Sequence, residues 1–258
     1  MYTKNIKSLL LFCVLRALYS LNGDIKLNKL GFVWWVLEPL LYFGIYYIVF
    51  GILLGSGGEN YAASLLLAIV PWMLGAKVLI GCLSSIEENK NTLLEISMNP
   101  VVYPISYIIE AVLKEFPMYL FLLAFLFFDG FLTFKLLIAL PLFFFHLSIF
   151  AGLGFLVAWA SCIFNDVKLV VPPLITVGMF LSGVFYDADN VSLVYRDYFL
   201  LNPIANLNEQ LRDIILEGGS LQFGLCVQYT VLILLFFLIG RLVYHKRGRS
   251  KLIRSLIS

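Results

Sequence analysis

The stretch GFVWWVLEPLL (residues 31–41) sets two tryptophans, a glutamate and a proline at the start of an apolar run that continues to Leu54. A carboxylate and a helix breaker are both costly in hydrocarbon, so the reading of this run depends on where it sits in the chain. The chain has 258 residues, 61% of them hydrophobic and 13% charged, with mean hydropathy +0.94. Soluble domains average about 45–50% apolar and about 25% charged residues. One globular core leaves much of a chain this long facing water, so the apolar excess specifies a polytopic, all-α membrane protein. Residues 1–258 read as a single transmembrane domain.

A spanning helix needs about 20 mostly apolar residues. Six segments meet or approach that length: 32–54, 61–83, 105–128, 136–163, 168–186 and 222–243. In the third, Glu110, Lys114 and Glu115 interrupt the first half, and Glu110 and Lys114 are spaced to pair across one turn. Lys4, Lys7, Arg16, Lys26 and Lys29 precede the first span, while Arg241, Lys246, Arg247, Arg249, Lys251 and Arg254 end or follow the last. The segment 187–220 is acidic by contrast. The positive-inside rule then predicts both termini in the cytoplasm and six passes, with the loops near 55–60, 129–135 and 187–220 outside. Lys4 and Lys7 ahead of LLLFCVL (9–15) imitate a signal peptide, but no A-x-A pattern follows and Arg16 interrupts the run. Residues 1–30 are read instead as an amphipathic helix along the cytoplasmic membrane face.

Several chemistries find no support. A net charge of +2 implies no bulk attraction to nucleic acid. Cys13, Cys82, Cys162 and Cys226 form no CxxC pair, and His146 and His245 lack neighbouring ligands, so neither a metal site nor a disulfide framework is expected. No G-x-x-x-x-G-K-[ST] occurs; the glycine cluster GSGG (55–58) lacks the lysine and reads as a turn. Nucleophile-elbow and HExxH motifs are missing as well. Glu87 and Glu88 are adjacent, so they leave a helix in different directions and make no facing acid/base pair.

Two non-spanning stretches carry more pattern than a loop needs. SSIEENKNTLLEISMNPVVYP (84–104) reads as a short helix presented to the cytoplasm, broken by Pro100 and Pro104. LNPIANLNEQLRDIIL (201–216) opens with Asn202 as N-cap and Pro203 at the first helical position. Ile204, Leu207, Leu211 and Ile214 form one apolar stripe, and Asn208, Glu209, Arg212 and Asp213 the polar face. This helix is about 20 Å long and too short to cross, so it is expected to lie on the outer surface or re-enter within 186–216.

Within the spans, Lys77 has two open readings: snorkelling to the cytoplasmic boundary, or a paired or pore-facing role. Glu38 falls near the same boundary, where water, the N-terminal helix or a partner protomer could satisfy it, and Pro39 would kink or start the helix there. Trp34, Tyr42 and Tyr46 share one face of the first span, with Trp35, Phe43, Tyr47 and Phe50 close to a second. Such faces suit sugar rings, and helix packing accounts for them equally.

LGFVWWVLEPLLYFGIYYIVFG (30–51), SSIEENKNTLLEISMNPVVYPIS (84–106) and LNPIANLNEQLRDIIL (201–216), in this order, resemble the membrane permease of bacterial polysaccharide ABC exporters. These are ABC-2 type proteins that export capsular polysaccharide, O-antigen or teichoic acid. The resemblance covers nearly the whole chain. It implies a homodimer in the bacterial inner (cytoplasmic) membrane, served by two copies of a separate P-loop ATPase that holds ATP and Mg, with no cofactor on this chain. It further implies that the N-terminal helix and the 84–104 segment touch the ATPase, with Glu87, Glu88, Asn89, Lys90 and Asn91 as coupling residues. Asn202, Pro203, Glu209 and Arg212 would mark the outer re-entrant helix. Trp34, Trp35, Tyr42 and Tyr46 would line an aromatic pathway for a polysaccharide or lipid-linked glycan, with Glu38 and Lys77 along it. TLLEISMN (92–99) lacks a basic residue often found in O-antigen relatives, which leaves the glycan class open. An ABC-2 exporter of drugs or other small molecules shares the pattern; an intramembrane glycan- or lipid-modifying enzyme would need acid or histidine pairs that the sequence does not present.

Overall fold

The structure, a computed structural model, describes residues 6–27, 31–55, 58, 60–95, 99–131 and 134–244. These build α1 (Ile6–Leu27), α2 (Gly31–Tyr46, prolonged by the π-helical turns Tyr47–Leu53), α3 (Tyr61–Ser84), α4 (Lys90–Glu95), α5 (Val102–Phe128) and α6 (Lys135–Ser161). There follow α7 (Val167–Leu181), α8 (Leu193–Leu200), α9 (Pro203–Arg212) and α10 (Phe223–Val243). Helices are the only regular elements among the described residues.

α3 is the axis. Its segment LLLAIV (65–70) offers no polar face, and every one of these side chains is fully buried. A helix apolar all round is stable only where neighbours surround it, and α3 touches α2, α5, α6, α7 and α9. Glycines set the closest approaches: Gly75 faces the ring of Phe150, Gly154 faces Cys82, and Gly152 of α6 faces Phe236 of α10. Small residues take this role between membrane helices because they let backbones close where lipid supplies no hydrophobic drive.

Contacts fix the helix directions. Glu38 of α2 meets Lys77 of α3, and Tyr47 meets Tyr61. Lys77, Gly81 and Cys82 meet Glu115, Tyr107 and Pro104 of α5 in turn. α2 and α5 therefore run against α3. α6 runs with α3, and α10 with α6, since Phe145 meets Tyr229 and Phe155 meets Tyr244. α7 runs against α3, from Lys168 at Glu87 to Gly178 at Trp72. α2, α3, α5, α6, α7 and α10 thus alternate. The start of α2 and the end of α10 share the end of the bundle that holds α4, while α8 and α9 cap the other end.

Six helices among the described residues are long and apolar enough to cross a membrane, and five of them match the expected spans. The sixth is α1, through Lys7–Lys26, in place of the expected 168–186. α7 has only 15 residues, about 22 Å against a hydrocarbon core of about 30 Å. It stops because Gly183 turns the chain at φ +62°, a left-handed conformation that glycine adopts without a Cβ clash. α1 lies parallel to the first half of α5, from Cys13 at Val102 to Asp24 at Lys114. It turns Leu11, Leu15, Leu18 and Tyr19 outward, an apolar face suited to lipid.

A Cβ at Gly75 would stand 2.3 Å from the Phe150 ring. Gly75→Val is therefore expected to destabilise the fold by about 1–3 kcal/mol through overpacking. Loss of monodisperse protein on heating in detergent measures this; an unchanged profile would mean that α3 and α6 are not closed here.

Candidate functional site

Two charged clusters at opposite ends of the bundle, and one turn at the α4 end, hold most of the residues singled out by the sequence. At the α4 end of the bundle, Lys77 Nζ lies 2.5 Å from Glu115 Oε2 and 3.6 Å from Glu38 Oε2. The Glu115 side chain is 0% exposed, so its charge depends on this partner. One residue earlier on α5, Lys114 joins Glu110 at 2.7 Å, the pair its spacing predicts, and also Asp24 of α1 at 2.6 Å. Lys77 is therefore paired rather than merely snorkelling. Glu38 finds its counter-charge on α3, not on α1. Pro39 neither starts nor breaks α2, which runs through it from Gly31.

The aromatic set divides. Trp34 and Tyr42 are exposed one turn either side of Glu38, and Trp35 is half-buried. Tyr46 belongs elsewhere: its ring lies 4.5 Å from Phe185, and Phe50 stacks on the same ring at 4.6 Å and 5°. The upper part of α2 thus packs against the turn that follows α7, while its lower part leaves aromatic surface open.

The 84–95 segment leaves α3 through tight turns and enters α4, so Lys90 and Asn91 open a short helix. Glu87 and Glu88, exposed and adjacent, do point apart. Glu87 pairs with Lys168 at the start of α7, and Glu88 accepts a bond from Tyr107 of α5. Asn89 holds Ser85 O at 2.7 Å through its amide and accepts from Arg16 of α1 at 3.1 Å. The Arg16 guanidinium also lies 4.6 Å from the centre of the Tyr107 ring, within cation–π range. Consecutive residues of one turn are tied to three different helices.

At the opposite end, Asn202 caps α9 by accepting from Ile204 N at 3.0 Å, with Pro203 at the first position as expected. Of the two placements open to this helix, the polar face is turned into protein rather than left on the surface. Asn208 is 0% exposed and Arg212 4%, because both faces of α9 are packed in protein. Arg212 donates to the carbonyls of Ser64, Val184 and Tyr186 and pairs with Asp187 at 3.0 Å. Asn208 donates to Ser182 O at 2.9 Å, and Glu209 accepts from Ala188 N at 3.2 Å. Sequence could not show this, since most acceptors are main-chain carbonyls of the 182–188 turn. Burial pushes the Glu209 carboxyl above the ordinary carboxylate range, opposed by Ala188 N–H and Arg212. Burial likewise lowers Arg212 from its ordinary value, with Asp187 and Glu209 opposing. A cavity of about 230 Å³ opens beside them, lined by Tyr61, Ser64, Tyr186, Asp187, Glu209 and Arg212 among others. Beyond it α8 exposes Leu193, Val194, Tyr195 and Tyr198 by 65–83%.

Among the described residues no group of three or more His, Cys, Asp or Glu side chains is placed to hold a metal ion. His146 is buried in α6 with its ring 5.7 Å from that of Phe150; His245 lies outside the described residues.

The family model described as ABC-2 type transporter matches residues 24–216, which takes in α2 through α9, and the chain belongs to that family. It is a multi-pass membrane protein. The chain is 24% identical over 203 residues to the O-antigen export system permease protein RfbA of Klebsiella pneumoniae, covering 76% of this chain and 78% of that protein. It is 22% identical over 238 residues to the polysialic acid transport protein KpsM of Escherichia coli, covering 87% and 88%. An O-antigen export permease RfbA of Myxococcus xanthus matches at 22% over 201 residues, 77% of each chain.

Removing one partner of a buried ion pair leaves a bare charge and costs about 3–5 kcal/mol, whereas removing both costs far less. Lys77→Met is thus expected to lower thermal stability strongly, and Lys77→Met with Glu115→Leu to recover most of the loss. A double variant as unstable as Lys77→Met would show that the pair does not hold α3 to α5. Arg212→Met is expected to fall in the same range, because Asp187 and three carbonyls lose their donor; thermal denaturation in detergent reads both.

Proposed function

We propose that this chain is the membrane permease of an ATP-driven exporter of a cell-surface polysaccharide or lipid-linked glycan. The observation that carries the reading is the ABC-2 match over residues 24–216 together with relatives named for O-antigen export and polysialic acid transport. In this reading two copies associate in the bacterial inner membrane. A separate ATPase chain supplies ATP hydrolysis, since the sequence carries no phosphate-binding loop of its own.

The basic residues before α2 and after α10 favour a cytoplasmic position for the α4 end. The turn at Glu87–Asn89, exposed and tied to α1, α5 and α7, is then the docking place for the ATPase. The α8–α9 cap lies at the outer side, as the short re-entrant element the sequence suggests. Glycan would enter near Trp34, Glu38 and Tyr42, where aromatic faces stand next to a carboxylate, and pass along the exposed side of α2 towards the cap. Sugar C–H faces stack on such rings while their hydroxyls bond to polar groups beside them.

Deletion of the chain in its native host is expected to remove a surface glycan, and affinity purification of the detergent-solubilised protein to recover a P-loop ATPase. Drug sensitivity with an intact surface would favour small-molecule export, and glycan modification without any ATPase an enzyme. Glu38→Gln and Trp35→Ala are expected to lower export several-fold at unchanged membrane level, measured by surface glycan staining; full export in both would remove the entrance at Glu38.

A further inference from the structure

α7 stands apart from the rest of the bundle. None of its residues is buried, its main helix contacts are with α3 and α6, and Pro172 and Pro173 remove two backbone donors from its first half. Its two ends are nevertheless held, and by unequal means. At the α4 end a single ion pair, Lys168 with Glu87, joins it to the turn between α3 and α4. At the other end Asn202 Nδ2 donates to Leu181 O and Ser182 Oγ, both at 3.1 Å, and Asn208 Nδ2 donates to Ser182 O. α7 and the α8–α9 cap therefore form one hydrogen-bonded body, attached to the Glu87 turn by a pair that is part-exposed and easily broken.

Motion of the Glu87 turn has two routes to the cap. α3 is continuous with the turn, but it is clasped by α6 at Gly75 and Gly154 and tied to α5 through Lys77. Packed cores of this kind move as wholes or not at all. α7 is held more lightly: Gly178 meets the edge of the Trp72 ring, and none of its residues is buried. We infer that α7 is a connecting rod that carries movement of the Glu87 turn to the α8–α9 cap, with Lys168 as the positioning residue that latches it. The inference rests on the proposed ATPase docking at this turn, and extends it from the docking residues to the element that moves.

The test places Tyr198→Cys on exposed α8 as a reporter, with Cys162→Ser and Cys226→Ser to clear background thiols. The permease with its ATPase is reconstituted in vesicles, and alkylation by a membrane-impermeant maleimide is timed with and without Mg-ATP. The parent is expected to change its rate at least about threefold on Mg-ATP. Lys168→Glu and Lys168→Met should lose that response while still co-purifying with the ATPase, and Lys168→Arg should keep it. A full response in Lys168→Glu, or a lost response in Lys168→Arg, overturns the rod. A parent that ignores Mg-ATP counts against the ATP-driven reading instead. A responsive parent with no surface-glycan phenotype counts only against the glycan.

Discussion

A charge taken out of water has to bring its own counter-charge, and this requirement organises the molecule at two levels. Lys77 meets it between Glu38 and Glu115, joining α2, α3 and α5. Arg212 meets it with Asp187 and three carbonyls, joining α9, the N-terminal end of α3 and the turn after α7. Both centres touch α3, one near each end. Between them the helix is sealed by apolar packing and by glycines against α6. The fold is thus a clamped axis with lighter elements, α1, α2 and α7, arranged on its periphery.

That division has a functional sense for a transporter. A clamped centre can hold register against load, while peripheral helices with few buried residues can shift at small cost. α2 shows both conditions in one helix: Tyr46 and Phe50 pack on Phe185, whereas Trp34 and Tyr42 remain open beside Glu38. The π-helical turns at Tyr47–Leu53 begin just beyond the packed Tyr46, a geometry that recurs at functional positions in helices.

The sequence made much of this legible, because hydrophobic length in a membrane protein is a strong signal. Five spans, the Asn202–Pro203 start of α9, the Glu110–Lys114 pair and the divergence of Glu87 and Glu88 all follow from spacing. What escaped followed from contacts between distant segments. Lys77 and Glu115 are 38 residues apart and each looks like a defect in its own helix; only their approach shows that they cancel. The burial of the polar face of α9 is not legible in sequence, because the acceptors for Arg212 and Asn208 are mostly main-chain carbonyls, which no side-chain pattern encodes. The sequence suggests a longer α7 than the structure has, because the apolar run continues past Gly183 into a turn that packs on α2 and α9. Composition marks the aromatic residues of α2, but only the fold separates outward Tyr42 from packed Tyr46.

The Glu38–Lys77–Glu115 cluster also bears on how the chain is made. An isolated lysine or carboxylate at the middle of an inserting helix costs about 2.5–3.5 kcal/mol, and the first half of α5 carries Glu110, Lys114 and Glu115 together. Synthesis runs from the N-terminus at about 5–20 residues per second. Asp24, Glu38 and Lys77 have therefore left the ribosome before Glu115 does. The most heavily charged helix arrives last of the three, into a bilayer already furnished with the lysine that accepts it.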